Sequence, residues 1–232
     1  MISVVIPSYN EETNIARCLE SLQKQTIPRG EYEIIVVDGN SSDHTRDIAE
    51  RYADLVFIQT SAKVGGARND GVMRSKGEII VTTDADCILP VDWLENIRDE
   101  FSKQPIVQLY GPVDPIEAGI KNRLSLFFAN MFARIGYYSG ALYYTLGCNT
   151  AFDRGAFILA GMYRTVDAGD DLEIARRMRK LGKVKFSNRV RVGFSMRRYQ
   201  QYGTLKSLYE WLYIVSHGGS SEKHSYTKRE YK

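Results

Sequence analysis

After Met1 the chain reads ISVVIPSYNEETNIARCLESLQKQTIPRGEYEIIVVDGN, residues 2–40. Two short apolar runs, ISVVIPSYN and YEIIVVDGN, end in turn residues. Between them Ile15, Cys18, Leu19 and Leu22 recur at helical spacing. The pattern then repeats. SSDHTRDIAERYA begins with capping residues and reads as a helix, and DLVFIQ as a third strand. GGARNDGVMRSKG reads as a helix closed by Gly77, and EIIVTTDAD as a fourth strand. The strands are continuously apolar, as strands buried on both faces are. Alternation of such strands with helices predicts an α/β fold, a parallel sheet covered by helices on both sides.

In open parallel sheets ligands bind beyond the carboxyl ends of the strands. Pro7, Tyr9, Asn10 and Glu11 follow the first run, Asp38 and Asp43 the second, and Asp84 and Asp86 the fourth. Three strands therefore bring carboxylates to one rim. No GxGxxG follows the first strand, so the usual dinucleotide arrangement is not indicated. Asp84 and Asp86 are separated by one residue, and in extended backbone such side chains share a side, roughly 6.6 Å apart. Like charges that close repel unless a cation or water intervenes. A hard divalent cation, Mg²⁺ or Mn²⁺, suits the pair, because it takes one or two carboxylates and fills its shell with water and phosphate oxygens. A solvent-facing turn is the plainer alternative.

Bulk composition is that of an ordinary globular protein, with 44% hydrophobic and 25% charged residues among 232, enough for a sizeable core. Cys18, Cys87 and Cys148 are too far apart for a metal motif and odd in number, which favours a reducing compartment. The N-terminus lacks a basic region before its apolar run, so no signal peptide is expected, nor does any uncharged run suggest a membrane span. Charge is uneven. Residues 1–116 hold 11 Lys and Arg against 19 Asp and Glu, and the remainder 20 against 9. A basic second half suits an anionic partner such as a diphosphate or a lipid headgroup. Nucleic acid is not expected as a partner, because the bases fall within helical patterns rather than in an aromatic-interleaved groove.

VVIPSYNEE, IIVVDGNSSDHT, GGARNDGVMRSKGEIIVTTDAD, LGCNTAFDR and GDDLEIARRMRKLG occur in that order. As a set, over about residues 2 to 200, they resemble the inverting family-two glycosyltransferases of GT-A fold, a Rossmann-like architecture. The resemblance implies a metal-dependent transferase that moves a sugar from a nucleotide-diphosphate sugar, of UDP or GDP type, to a hydroxyl or phosphate of a glycan or lipid-linked acceptor. It implies nucleotide contacts at Pro7, Tyr9, Glu11 and Asp38, a basic residue near the nucleotide at Lys63 or Arg68, a ribose contact at Asp84 and a metal ligand at Asp86. Asn149, in GCN, falls near the sugar and acceptor. Asp171, in GDDL, matches the general base, with Asp170 as fallback. Read from the residues alone, Asp170 and Asp171 equally suit a helix start, where acids are favoured by the dipole. Many relatives have a histidine where this chain has Phe194 and Ser195, so the metal would lean on Asp86 and the diphosphate, with Arg197 and Arg198 as diphosphate candidates.

The implied organisation is a donor-binding half over 1–115, an acceptor-binding half over 116–203, and an amphipathic helix with a polar tail over 204–232. Residues 121–147 are rich in Phe and Tyr and read as one or two helices that suit either the core or a membrane interface, with core packing expected for their first half. A cytoplasmic location, with peripheral contact at the membrane face, follows from the basic, aromatic second half. Two rivals are a sugar-nucleotide pyrophosphorylase, which would need a glycine-rich basic loop where PSYNEE stands, and a scaffold protein of the same fold without turnover.

Overall fold

The structure, a computed structural model, describes residues 1–140 and 146–203, with Lys206, Ser207, Tyr209, Glu210 and Tyr213 beyond them. Tyr143, Tyr144, Leu205, Leu208, Leu212 and the tail with His217 and His224 lie outside the described residues, as does the Arg198 side chain.

Four strands, β1 (Ile2–Ser8), β2 (Tyr32–Asp38), β3 (Leu55–Ile58) and β4 (Ile79–Thr82), pair in parallel in the order β3-β2-β1-β4. Helices α1 (Ile15–Gln23), α2 (Thr45–Ala49) and α3 (Lys63–Arg74) connect them. Beyond β4 come α4 (Trp93–Lys103), β5 (Gln108–Tyr110), β6 (Val113–Pro115), α5 (Ile120–Ser139), β7 (Thr150–Asp153), α6 (Arg154–Leu159), α7 (Asp170–Leu181), β8 (Val184–Phe186), β9 (Val192–Phe194) and α8 (Arg197–Tyr202). β7 runs antiparallel between β4 and β5, and β8 completes a seven-stranded sheet, while β6 and β9 form a separate parallel pair.

The pleat sorts side chains onto two faces. Val4, Ile6, Ile34 and Val36 pack with Ile15, Leu19 and Leu22 of α1 and with Trp93, Leu94 and Ile97 of α4. Val5, Ile35, Val37 and Ile80 pack on the other side with Ala67 and Val72 of α3 and with Leu172, Ile174 and Met178 of α7. Each such aliphatic side chain contributes about 1.5–3 kcal/mol by leaving water, so the double-sided burial of β1 and β2 anchors the sheet. Because β1, β2 and β4 are parallel neighbours, their carboxyl ends open onto one rim.

Four local expectations need correction. The fourth strand ends at Thr82, and the Cys87 amide donates to the Asp84 carbonyl at 3.1 Å, so Asp84 and Asp86 stand in a turn rather than in extended backbone. α3 is capped at Ser75, and Gly77 instead passes so close to β1 that a Cβ there would lie 2.5 Å from Ser3 Oγ. KVKFSNRVRVGFS divides into β8 and β9, which join different sheets. The first half of α5 meets the core only through Leu126: Ile120, Leu124, Phe127 and Phe128 are all exposed. Among the described residues no helix is long and apolar enough to cross a membrane.

Candidate active site

Arg68 organises the rim. It lies on α3, only 4% exposed, where a lone guanidinium in low dielectric is costly. Two carboxylates resolve that cost: Nη2 donates to Asp84 Oδ1 at 2.8 Å and Nη1 to Asp170 Oδ2 at 3.2 Å. Burial works against its charge, and Asp84 and Asp170 outweigh burial, so its pKa is raised. The Tyr163 ring lies under the guanidinium, 5.4 Å from its carbon. Gly147 gives Arg68 room, for a Cβ there would stand 2.8 Å from Nη1. Arg68 is thus a buried tie between the end of β4 and the start of α7, rather than a side chain presented to a nucleotide.

Asp171 follows in the first turn of α7 and is half-buried. Its Oδ1 accepts from its neighbour's amide, Leu172, at 2.8 Å, and its Oδ2 accepts from the Gly147 amide at 3.2 Å. Desolvation and the adjacent Asp170 push its pKa up to about 7, against the pull of Arg68. Asp170 is buried too, and burial raises it while Arg68 opposes. Of the two, Asp170 holds Arg68 directly, and Asp171 is the one that Arg68 does not hold.

A second cluster faces the mouth. Arg197, at the start of α8, places Nε 3.3 Å from Asp86 Oδ2 and donates from Nη2 to Glu11 Oε1. Burial raises the Glu11 carboxyl, and Arg197 and Asn14 oppose it. Opposite charges thus join the turn after β4, the turn after β1 and α8. Arg68 at Asp84 and Arg197 at Asp86 supply the positive charge that two such close carboxylates require.

The other expected residues divide. Pro7 and Tyr9 lie at the rim end of β1, and Tyr9 is 52% exposed, an open face for stacking. Asp38 ends β2 wholly buried, accepting the Ser41 amide at 2.8 Å and the Ser41 hydroxyl at 2.5 Å, so it shapes the loop after β2 instead of facing outward. Lys63 has a left-handed φ of 66° and pairs with Asp167, which ties it to the segment before α7. Asn149 departs from expectation. It is fully buried, accepts from Trp93 Nε1 at 3.1 Å and donates to the carbonyls of Pro112 and Val190 at 3.0 and 2.9 Å. Its amide is engaged inside the protein, so a sugar contact from Asn149 is not supported. Asp43 serves the start of α2, where its Oδ1 accepts the Thr45 amide at 3.0 Å.

Tyr163 and the Arg68–Asp170 link escaped the sequence reading. Nothing in the spacing marks Tyr163, whose hydroxyl lies 3.3 Å from Thr82 Oγ1; burial raises its pKa, and Arg68 opposes. A single basic residue in a helix flanked by glycines, GGARNDG, was the available hint of a buried cation.

For a divalent cation the donor chemistry fits. Asp84 and Asp86 side chains are 34% and 19% exposed, so both reach solvent, and both offer hard oxygens. Among the described residues no third His, Cys, Asp or Glu joins them in an arrangement that would hold an ion. A bound ion would therefore complete its shell with water and ligand phosphate.

Known proteins resemble this chain in sequence and in fold. The chain is 40% identical over 100 residues to glycosyltransferase AglE of Haloferax volcanii, covering 40% of this chain and 33% of AglE. It is 44% identical over 92 residues to the poly(ribitol-phosphate) beta-glucosyltransferase of Bacillus spizizenii, covering 37% of this chain and 14% of that enzyme. It thus spans a third or less of the length of these two relatives. The fold matches that of Staphylococcus aureus TarS residues 1–349, solved with UDP-GlcNAc, with a TM-score of 0.69 over 84% of this chain and 58% of that one, at 21% identity. It also matches the mannosyltransferase PcManGT of Pyrobaculum calidifontis, solved with GDP-Man and Mn²⁺, with a TM-score of 0.68 over 90% of this chain and 59% of that one, at 22% identity. The sheet is the mostly parallel one of these GT-A neighbours. The model of glycosyl transferase family 2 matches residues 3–161, which include β1 to β4, Arg68 and the Asp84–Asp86 turn, and the chain belongs to that family.

Proposed function

We propose that this chain carries the catalytic machinery of an inverting, metal-dependent glycosyltransferase that moves a sugar from a UDP- or GDP-type donor to a hydroxyl of a glycan or lipid-linked acceptor. The observation that carries the reading is Asp171: a half-buried carboxyl with its pKa raised to about 7, next to the carboxylate that Arg68 pairs at the start of α7. A general base works best when its pKa lies near the working pH. At neutral pH about half of the Asp171 population is ionised and ready to accept a proton, whereas an ordinary aspartate would be a weaker base.

Inversion is a single displacement. The acceptor oxygen attacks the anomeric carbon from the face opposite the diphosphate, and the new C–O bond forms as the bond to the diphosphate oxygen breaks. The acceptor proton passes to the Asp171 carboxylate, and the nucleoside diphosphate departs with the bonding electrons. Gly147 and Leu172 amides hold both Asp171 oxygens and so fix the direction in which the base presents its lone pairs. Asp84 and Asp86 would hold Mg²⁺ or Mn²⁺, which supplies neutralisation of the leaving diphosphate. Tyr9 offers its exposed ring to the base, and Glu11 and Pro7 border the same opening. Arg197, already at that opening, is the described cation best placed to meet the diphosphate once its carboxylates turn to other partners. The dolichyl phosphate and diacylglycerol in the names of two relatives, from Methanococcus voltae and Trichormus variabilis, support a lipid-linked acceptor.

Calorimetric titration with UDP, GDP, CDP and dTDP, each with and without Mn²⁺, tests the donor half. Metal-dependent binding of one nucleotide is expected and identifies the donor class. Absence of binding to all four by folded protein would return the Asp84–Asp86 turn to a surface role. Donor binding with no metal-dependent donor hydrolysis would favour a scaffold of the same fold.

A further inference from the structure

We propose that α5 is a membrane-docking helix that lies on an anionic lipid surface, with its arginine edge at the lipid phosphates. Ile120, Leu124, Phe127, Phe128, Phe132, Ile135 and Tyr138 are all exposed, from 49% for Leu124 to 74% for Tyr138. At about 100° of turn per residue they fall within one stripe roughly 140° wide. Leu126, Ala133 and Gly136, on the opposite side, are the residues α5 buries. A helix that keeps its small residues for the core and its phenylalanines for the outside is inverted relative to an ordinary surface helix. Such a face needs a cover.

Charge names the cover. α5 contains no acidic residue, and its charged residues, Lys121, Arg123 and Arg134, are all cationic and exposed. Arg123 and Arg134 fall on one margin of the stripe, beside Phe127, and Lys121 stands within the stripe at its first turn, where a long side chain can reach up to the phosphates. Along the arginine margin α5 borders a groove of about 610 Å³, whose far wall carries Arg191 already paired with Asp114 at 2.6 Å, so the charge of the groove rests on the two α5 arginines. Asn130 fixes that wall by exchanging two hydrogen bonds with the backbone of Val113, at 3.0 and 2.8 Å. An apolar stripe with a basic margin matches the two layers of an anionic bilayer, acyl chains beside phosphates. A second copy of the chain fits less well. Two-fold pairing of α5 along this stripe would set the cations of one helix against those of the other.

The inference deepens the acceptor half of the proposed function, and its test uses no turnover, so the two fail separately. The full chain is mixed with vesicles of phosphatidylcholine alone and of phosphatidylcholine with phosphatidylglycerol, and binding is followed by flotation at low and high salt. Binding is expected to the anionic vesicles, weakened by salt. Phe128→Glu with Phe132→Glu should weaken it by about tenfold or more, and Arg123→Ala with Arg134→Ala should remove most of the preference for the anionic lipid. Phe128→Trp should gain fluorescence quenched by brominated lipid, which separates insertion from mere electrostatic adsorption. These side chains are exposed, so circular dichroism should stay unchanged. No binding to anionic vesicles, equal binding by the double glutamate variant, or concentration-dependent dimers abolished by that variant would each overturn the proposal.

Discussion

Replacing Asp171 by asparagine should stabilise the protein while abolishing transfer, and the stabilisation should depend on pH in a defined direction. The carboxyl is pushed up to about 7, from an ordinary value of 3.8, by desolvation first and Asp170 second. A folded-state pKa above the unfolded one means that the folded protein holds an extra proton between those values. The stability contributed by that proton is fully present below about pH 4 and is lost as pH rises through about 7. At roughly 1.4 kcal/mol per pH unit the gap sets an upper bound of about 4 kcal/mol on the cost of ionising Asp171 in place. Asparagine avoids that cost, but it presents only one acceptor oxygen where Asp171 meets the amides of both Gly147 and Leu172. One orphaned amide costs about 1–2 kcal/mol. The net expectation is stabilisation of about 1–3 kcal/mol at pH 8, and no gain or a small loss near pH 4. For a domain of this size that is roughly 3–10 °C at pH 8. Urea denaturation of the parent and the Asp171→Asn variant across pH 4–8, beside a donor-hydrolysis and transfer assay, checks both readouts. A variant that gains no more stability over the parent at pH 8 than at pH 4 would refute the placement of the raised carboxyl at Asp171. Retained turnover would remove it as the base.

Other perturbations test the same site from different sides. With Asp171 as base, kcat/KM should fall about tenfold per pH unit below about 7 and level off above it, and a flat profile would point elsewhere. Arg68→Met leaves Asp84 and Asp170 facing a gap and should cost about 3–5 kcal/mol at neutral pH, partly restored by adding Asp170→Asn; thermal melts of the single and double variants decide. Gly147→Ala brings a Cβ to 2.8 Å from Arg68 Nη1, so a loss of about 1–3 kcal/mol and of activity is expected, whereas an unchanged melt would show that Arg68 yields freely. Chelation of divalent cations should abolish nucleotide binding in the parent, and Asp86→Asn should raise the metal concentration needed; binding indifferent to both would remove Asp86 as a metal ligand.

The parallel sheet was legible because its signal is local: continuously apolar strands of β1 and β2, each followed by a helical period, leave few alternatives. The rim of acids followed from that topology. What the residues alone did not reveal was which acids meet which cations. Arg68 and Asp170 are 102 positions apart, and Glu11 and Arg197 are 186 apart. No spacing rule connects pairs so distant, so neither the tie of Arg68 to two carboxylates nor the bracing of Trp93 by the Asn149 amide was legible in the residues. The turn at Asp84 and the exposed stripe of α5, each one of two alternatives the residues left open, were undecided for a related reason. Apolar or extended pattern predicts burial and strand, but only tertiary placement says where a strand stops or which helix has a neighbour.

The charge balance around Arg68 accounts for the raised carboxyl on which the proposed base rests. Arg68 is one buried guanidinium with Asp84 at 2.8 Å, Asp170 at 3.2 Å and Asp171 next in the chain. One positive charge does not compensate three ionised carboxylates where two of them are withdrawn from water, so one of those two is driven toward its protonated form near neutral pH. Asp84 opens to solvent and Asp170 holds Arg68, which leaves Asp171. In the proposed mechanism, the same helix start that would suit any pair of acids through the dipole would serve as a proton acceptor because Arg68 pairs with its first aspartate and not with its second. The order of the two residues therefore matters. Exchanging the roles, by Asp170→Asn, should free Arg68 to pair with Asp171, lower its pKa toward the ordinary range and shift the acid limb of the pH–rate profile downward with a loss of kcat. If instead that limb stays near pH 7 in the Asp170→Asn protein, the raised carboxyl owes nothing to competition for Arg68, and desolvation alone sets it.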